Sequence, residues 1–233
     1  MFFDYTYIVY VLPAVLLAFW AQAHVNSTFR RYQNQLSRRR VSGAEAARAV
    51  LSAHGIYDVR IERVSGNLTD HYDPRDNVIR LSDGVYSSTS TAAIGVAAHE
   101  AGHALQYAEN YAPIRLRSAI IPITNLGSQL AFPLVLFGLL LMGVSEVFAG
   151  VAYAGIACFA LSAVVQLVTL PTEFNASRRA IAAIESAGLL EPDEVAGARK
   201  VLSAAAMTYV AALAVSLGQL LRLLVIVGGR RRD

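Results

Sequence analysis

The sequence is poor in cysteine and in charged residues. Cys158 is the single cysteine among 233 residues, so the chain can form neither an internal disulfide nor a zinc module built from several cysteines. Only 16% of the residues are charged and 55% are hydrophobic, whereas about 25% are charged in a typical soluble domain. This composition argues against a small disulfide-rich domain and against an ordinary soluble protein.

The positive charge does not form the continuous stripe expected of a nucleic-acid-binding protein. The net charge is +3, and the basic residues occur in short clusters that border apolar runs. These clusters lie at positions 30–31, 38–40, 115–117, 178–179 and 230–232. Such placement is typical of the ends of membrane spans. We therefore expect a lipid bilayer as a partner and no nucleic acid.

Four apolar segments are long enough to cross a bilayer. They lie at 5–23, about 119–143, about 148–170 and about 201–228, and a spanning helix needs roughly 20 residues. The first segment is followed rather than preceded by arginines, which predicts an uncleaved anchor instead of a signal peptide. Arg222 interrupts the fourth segment and is expected to snorkel to the interface. The alternative, a soluble all-α protein, would have to bury all four segments.

The distribution of charge between the loops predicts the orientation of the spans. Basic residues follow the first span and precede the second, which places both of these ends in the cytoplasm, while the loop after the second span carries only Glu146. We therefore expect an integral protein of the plasma (inner) membrane whose N-terminus lies outside. A fourth complete span would leave the arginines at 230–232 outside, so the topology of the C-terminus stays open.

The polar region before the second span predicts a helix, a small hairpin or sheet, and another helix. Ser42 can cap the first helix, and Ser90 or Thr91 can cap the second, which runs to about Ala108. Between these helices, two segments alternate like strands, and a segment rich in Asp, Pro and Asn predicts a turn that separates them. The first strand is predicted at 57–64, the turn at 70–77 and the second strand at 78–82.

The second of these helices carries the motif H-E-A-G-H, formed by His99, Glu100 and His103. At about 100° per residue, His103 lies about 40° from His99 and one turn further on, so both imidazoles can bind one cation. Glu100 lies beside that cation, where it can take a proton from water, and two histidines with a carboxylate suit zinc. The alternative is a buried helix with incidental polar groups, which would be left without partners.

Glu173 is the candidate for the third zinc ligand. Two membrane spans separate it from the motif, and an even number of crossings places both on the same side whatever the orientation. Gly95 and Gly102 lie seven residues apart on one side of the motif helix, which permits close approach of a neighbouring helix. As an alternative, Glu173 could merely complement a helix dipole, because Pro171 predicts a helix start there. The other acidic or histidine candidates are Asp70, His71, Asp73 and Glu109.

Several stretches together resemble the YugP-like family of membrane-bound neutral zinc metallopeptidases. They are the N-terminal anchor, LTDHYDPRDNVIRLS, AAHEAGHALQ and LPTEFNASRRA, and the resemblance runs from about residue 3 to 230. DHYDP followed by RLS, and PTEFNAS, are more specific than H-E-x-x-H, which many families share. The resemblance implies a zinc peptidase with a peptide or protein substrate and names no particular substrate.

A more distant likeness is to the gluzincin membrane proteases. Those proteins carry H-E-x-x-H and, later in the chain, a Glu followed four residues on by Asp. Carried over to this sequence, His99 and His103 match the histidine ligands and Glu100 matches the base. Glu173 matches the distal ligand, and the Asp position falls on Ser177, which can hydrogen-bond but carries no charge.

The sequence therefore predicts a mainly α membrane protein with about four transmembrane helices and a small α+β zinc-peptidase domain. In this interpretation it is an endopeptidase with one Zn²⁺ per chain, in which Glu100 is the general base for a zinc-activated water. Arg178, Tyr72 or His71 could stabilise the oxyanion. An exposed edge strand at Val78–Ser82 could hold an extended peptide.

The predicted organisation has five parts. They are an anchor at 1–23, a zinc-peptidase region at 24–118, a two-span hairpin at 119–170, a helix with the third ligand at 171–200, and a C-terminal span with a basic tail at 201–233. Two alternatives stay open, namely an intramembrane zinc protease and a non-catalytic zinc-binding scaffold or chaperone. Structural zinc sites use four protein ligands and catalytic sites use three, so the three visible ligands favour catalysis. Protein partners stay unknown.

Overall fold

The computed structural model describes residues 4–230 and is mainly helical. A π-helical turn at Tyr7–Val11 leads into the first helix. The helices are α1 Leu12–Gln33, α2 Gly43–Ala53, α3 Asp83–Tyr86, α4 Thr91–Ala108, α5 Ala112–Leu141, α6 Val147–Ser186 and α7 Pro192–Arg230, and the strands are β1 Arg60–Val64, β2 His71–Asp73 and β3 Val78–Ser82. The arginines at 231 and 232, on which the C-terminal topology depends, lie outside the described residues.

Two of the long helices are more continuous than the sequence predicts. Pro171 lies inside α6 rather than at a helix start, so Glu173 is not in a first turn, and the prediction of a separate helix there is wrong. Likewise α7 is one helix from Pro192 onward. A proline can remain inside a long helix when neighbouring groups satisfy the carbonyl that it leaves without a donor. Glu173 therefore does not complement the dipole of a helix that starts at Pro171, because no helix starts there.

The chain divides into two compact units. The first, which we call the span unit, comprises the described residues of 1–21, 115–170 and 208–233. Within residues 4–230, four helices are long and apolar enough to cross a membrane, namely Tyr7–Gln33, Ala112–Leu141, Val147–Ser186 and Pro192–Gly229. Arg222 in the span unit is largely buried, with its guanidinium 3.5 Å from the Asp4 carboxylate and 5.5 Å from the Tyr7 ring centroid.

The second unit, which we call the site unit, comprises residues 22–114 and 171–207. Its three-stranded sheet has the order β1-β3-β2, with β3 parallel to β1 and antiparallel to β2. The prediction that Val78–Ser82 is an exposed edge is wrong, because this strand is central and buried. Its side chains are the most apolar of the three strands, which favours the position that is covered on both sides. Part of the predicted turn at 70–77 instead forms the edge strand β2.

The helices α2 and α4 supply much of the core of the site unit. Both have the predicted caps, since Ser42 and Glu45 form a capping box and the Ser90 hydroxyl accepts from the Ala93 backbone N–H. Alanines dominate the buried face of α4, so neighbouring backbones approach it closely. A Cβ on Gly102 would lie 2.7 Å from the Ala176 carbonyl oxygen of α6. The motif helix and the Glu173 segment therefore pack almost backbone to backbone.

Gly95 and Gly102 serve two different neighbours. Gly102 faces α6, whereas a Cβ on Gly95 would lie 3.3 Å from the Ala198 Cβ of α7. The sequence predicts a single neighbouring helix for this small-residue side, and the structure shows two. The α4 helix is consequently held between two helix segments of the site unit, both of which arrive from long apolar helices.

Candidate metal centre

Two helix segments bring His99, His103 and Glu173 together. The Glu173 Oε2 atom lies 3.2 Å from His99 Nε2 and 3.4 Å from His103 Nε2. One ligand atom from each of the three side chains lies within 4.8 Å of the other two. The carboxylate is buried, with 3% of the residue exposed. The three predicted ligands thus form the one cluster of three or more His, Cys, Asp or Glu side chains with metal-binding spacing among residues 4–230.

The opposite ring nitrogens of both histidines are held by polar side chains. His99 Nδ1 lies 3.1 Å from the Ser177 hydroxyl, one turn beyond Glu173. His103 Nδ1 donates to Gln106 Oε1 at 3.0 Å. Such contacts fix the ring orientation and the tautomer of a metal-binding histidine. Both Nε2 atoms are therefore directed at the shared Glu173 oxygen.

Gln106 contacts the candidate site, although it is not among the residues that the sequence motifs identify. It is fully buried, and its amide nitrogen donates to the Thr172 carbonyl at 2.8 Å and to Asn175 Oδ1 at 3.0 Å. Gln106 thus links His103 to the backbone and to a side chain of α6. The sequence does carry a signal for it, namely a glutamine three residues after His103 on an otherwise apolar helix. Because a buried amide needs hydrogen-bond partners, such a glutamine is expected to contact neighbouring polar groups.

The donor set and its electrostatics fit a zinc ion. Two imidazoles and one carboxylate form the protein ligands of one class of catalytic zinc site. Burial opposes a charge on the His103 ring, but the hydrogen bond to Glu173 and the charge of that carboxylate outweigh it and raise the pKa of His103. The cluster therefore attracts positive charge, as a cation site must.

Glu100 is buried next to the cluster and is fixed by the edge strand. Its Oε2 accepts from the Tyr72 backbone N–H at 3.0 Å. Asp70, at the start of β2, accepts from the Ser82 backbone N–H at 2.7 Å and from the Ser82 hydroxyl at 2.9 Å. Burial raises the pKa of Asp70, although the Ser82 contacts oppose that effect. The DHYDP stretch therefore ties β2 to β3 and delivers one amide to Glu100.

The three predicted oxyanion-stabilising residues lie in different surroundings. His71 is exposed on β2 and its Nδ1 donates to the Thr69 carbonyl at 2.8 Å. The Tyr72 hydroxyl donates to Asn77 Oδ1 at 2.8 Å, and burial raises the pKa of Tyr72 to about 12. Arg178 is exposed on α6 and lines a groove with Ser177.

The remaining ligand candidates are held by other partners. The Asp73 carboxylate lies 3.0 Å from the Arg80 guanidinium, and the Glu109 carboxylate lies 2.7 Å from that of Arg179. Both ion pairs lower the pKa of the carboxyl concerned, with a backbone hydrogen bond as the largest effect at Asp73. Neither side chain belongs to the candidate metal cluster. Glu109 follows His103 by six residues, which places it about 120° away round the helix.

Comparison of the sequence with known proteins identifies its family. The sequence model of a family described as "Putative neutral zinc metallopeptidase" matches residues 7–228. The chain belongs to this family. It is also 46% identical over 220 residues to a protein of Bacillus subtilis (strain 168) named "Putative membrane protease YugP", across 94% of this chain and 96% of that protein. No solved structure matches the chain.

Membership of the zinc metallopeptidase family agrees with the two main features of the molecule. The family's name implies zinc, and the His99, His103 and Glu173 cluster has a suitable donor set. The relative's name implies a membrane, and four helices of this chain have the required length and apolarity. The predicted family resemblance and the predicted fold class are confirmed.

Proposed function

We propose that this protein is a membrane-anchored zinc endopeptidase. His99, His103 and Glu173 hold one Zn²⁺ per chain, and Ser177 and Gln106 orient the two imidazoles. The observation that carries the proposal is the convergence of three ligand atoms from α4 and α6 beside a separately fixed carboxylate. A fourth protein ligand is missing from this cluster within residues 4–230, and such an open position is typical of catalytic rather than structural zinc.

Glu100 is the general base in this proposal. Zinc at the site would supply Lewis-acid polarisation and would lower the pKa of water towards about 7. The Tyr72 N–H holds Glu100 Oε2, and no described residue hydrogen-bonds to Oε1. Glu100 takes a proton from the attacking water and returns it to the leaving amine. Fixing one oxygen keeps the other in a constant position for both transfers.

His71 is our choice among the three candidates for contact with the developing oxyanion. It neighbours Tyr72 on β2, its imidazole is exposed, and its Nδ1 is already anchored to the Thr69 carbonyl. Its Nε2 atom is left for contact with the oxyanion, to which a ring protonated on both nitrogens donates. The Tyr72 hydroxyl is engaged by Asn77, and Arg178 lines a groove that none of the three candidate zinc ligands lines.

The free edge of β2 supports an extended substrate. In the described part of the chain, β2 pairs with β3 alone, so its second edge offers backbone groups to a peptide, apart from the Tyr72 N–H that Glu100 engages. We therefore propose β2, rather than Val78–Ser82, as the strand that holds an extended peptide. We expect longer unstructured peptides to have a higher kcat/KM than dipeptides, and equal values would contradict a role for this edge.

The site is proposed to face the cytoplasm from the plasma membrane. The support is the placement of basic residues after the first apolar segment and before the second. α4 is not among the four candidate spanning helices of the described residues, and this supports a site outside the bilayer over an intramembrane protease. The motif in this proposal works next to the bilayer rather than inside it.

The direct test compares the wild type with Glu100→Gln, both purified in detergent. We expect equal bound zinc, and cleavage of an unstructured protein that falls by roughly 10²- to 10⁴-fold in the variant. Equal cleavage in both proteins would remove Glu100 from its role. In the same assay, His71→Ala should lower kcat with zinc retained, whereas an unchanged kcat would exclude His71 from the oxyanion contact.

A further inference from the structure

A groove of about 650 Å³ lies between α6 and α7 within the site unit. We call it the α6–α7 groove and define it by six of its lining residues. These residues are Phe174, Asn175, Ser177, Arg178, Arg199 and Ala206. None of the three candidate zinc ligands lines it, so it is separate from the face on which Glu100 lies.

Two residues of the groove, Ser177 and Asn175, are linked by hydrogen bonds to the candidate zinc ligands. The Ser177 hydroxyl contacts His99 Nδ1 at 3.1 Å. Asn175 accepts from Gln106, whose other amide atom contacts His103 Nδ1. Anything that fixes Ser177 and Asn175 from the groove therefore also restricts both imidazole rings.

The charges of the groove select an anion. Arg178 is exposed and forms no ion pair with any described residue. Arg199 lies further along, where its guanidinium is 3.0 Å from the Glu185 carboxylate. Glu185 therefore offsets one arginine and leaves the charge of Arg178 uncompensated. An anion with several oxygens suits a guanidinium, because it accepts two parallel hydrogen bonds.

The groove also offers apolar surface, and it begins at the end of an apolar helix stretch. Phe174 is 45% exposed, and Ala206 contributes a small side chain on α7. Arg178 follows the last residue of that stretch in α6, Leu170, by roughly 12 Å of helix rise at about 1.5 Å per residue.

We propose that the α6–α7 groove binds the headgroup phosphate of an anionic phospholipid and that its occupancy tightens zinc binding. Arg178 holds the phosphate, and Phe174 contacts the upper part of the acyl chains. The bound headgroup restricts Ser177 and Asn175, and through them His99 and Gln106. The effect on zinc rests on the proposed function, whereas lipid binding does not.

The lipid part is tested by native mass spectrometry of delipidated protein in detergent. Dioleoyl phosphatidylglycerol should remain bound to the wild type in preference to phosphatidylcholine, and Arg178→Glu should weaken that binding by roughly tenfold. Arg30→Glu is the matched control, since Arg30 is exposed in the last turn of the long helix α1 but does not line the groove. Equal binding of both lipids, equal loss in both variants, or displacement by millimolar inorganic phosphate would overturn the lipid assignment.

The coupling is tested by titrating metal-free protein with zinc in nanodiscs of either lipid. We expect severalfold tighter zinc binding with phosphatidylglycerol, and the same zinc affinity in both lipids for Arg178→Glu. Selective lipid binding with identical zinc affinity in the wild type would contradict the coupling alone. An absence of zinc binding in every sample would contradict the proposed function while leaving the lipid result standing.

Discussion

The span unit and the site unit differ in the kinds of side chain that they expose and bury. In the span unit, large apolar side chains such as Phe19 and Phe132 are about 70% exposed, as expected of surfaces that face lipid. In the site unit, all three buried carboxylates of the described chain lie inside, at Glu100, Glu173 and Glu194. A buried charge is tolerated only with partners, and the site unit supplies them. Glu100 and Glu194 accept from backbone N–H groups, and Glu173 contacts the two histidines.

The largest predicted difference between the two units is in how the loss of a buried polar side chain changes zinc affinity. Gln106→Leu in the site unit removes the hydrogen bonds that link His103 Nδ1 to Thr172 and Asn175 of α6, so zinc affinity should fall by roughly 10- to 100-fold. Thr124→Val is the matched change in the span unit, where the buried hydroxyl has no hydrogen-bond partner. Zinc competition with a chelator measures both. An equal fall in the two variants would show that the distinction between the units is wrong.

A smaller effect is expected from helix packing. Gly102→Ala inserts a Cβ 2.7 Å from the Ala176 carbonyl oxygen and should destabilise the protein by about 1–3 kcal/mol. Gly150→Ala in the span unit meets nothing within 4 Å and should be neutral or stabilising by up to about 1 kcal/mol. Thermal unfolding in detergent compares them. If Gly102→Ala is as stable as Gly150→Ala, α4 and α6 are not in backbone contact.

The smallest effect concerns the ion pair between Glu109 and Arg179. Arg179 lowers the folded-state pKa of Glu109 below its usual value of 4.5, so the pair stabilises the protein above that value and its contribution is lost as the pH falls through the lowered pKa. Because Glu109 is half exposed, Glu109→Gln should cost only about 0.2–1 kcal/mol at pH 7. The difference from wild type should vanish at low pH, and a difference that grows on acidification would contradict this assignment.

The spacing of the motif was enough to predict which residues of α4 meet. His99 and His103 lie one helical turn apart, and that geometry holds in any α-helix. Glu173 followed from an even number of apolar segments, which fixes the side of the membrane without fixing a distance. The contact itself depends on Gly102, whose missing side chain lets α6 approach.

Features that depend on tertiary contacts were not predictable from local patterns. Pro171 normally favours a helix start, yet α6 continues through it because packing outweighs the local preference. Strand order was also hidden, since β3 becomes central only when β2 and β1 pair on its two sides. The Tyr72 amide that holds Glu100 is a backbone group, and backbone donors carry no signal in the sequence.

The most direct test of the three-ligand centre is the zinc content of Glu173→Gln, measured by elemental analysis after dialysis. Glu185→Gln is the control, because it removes an exposed carboxylate from the same helix. We predict one zinc per chain in the wild type and in Glu185→Gln, and nearly complete loss in Glu173→Gln. A full complement of zinc in Glu173→Gln would contradict the proposal that α6 supplies the third ligand.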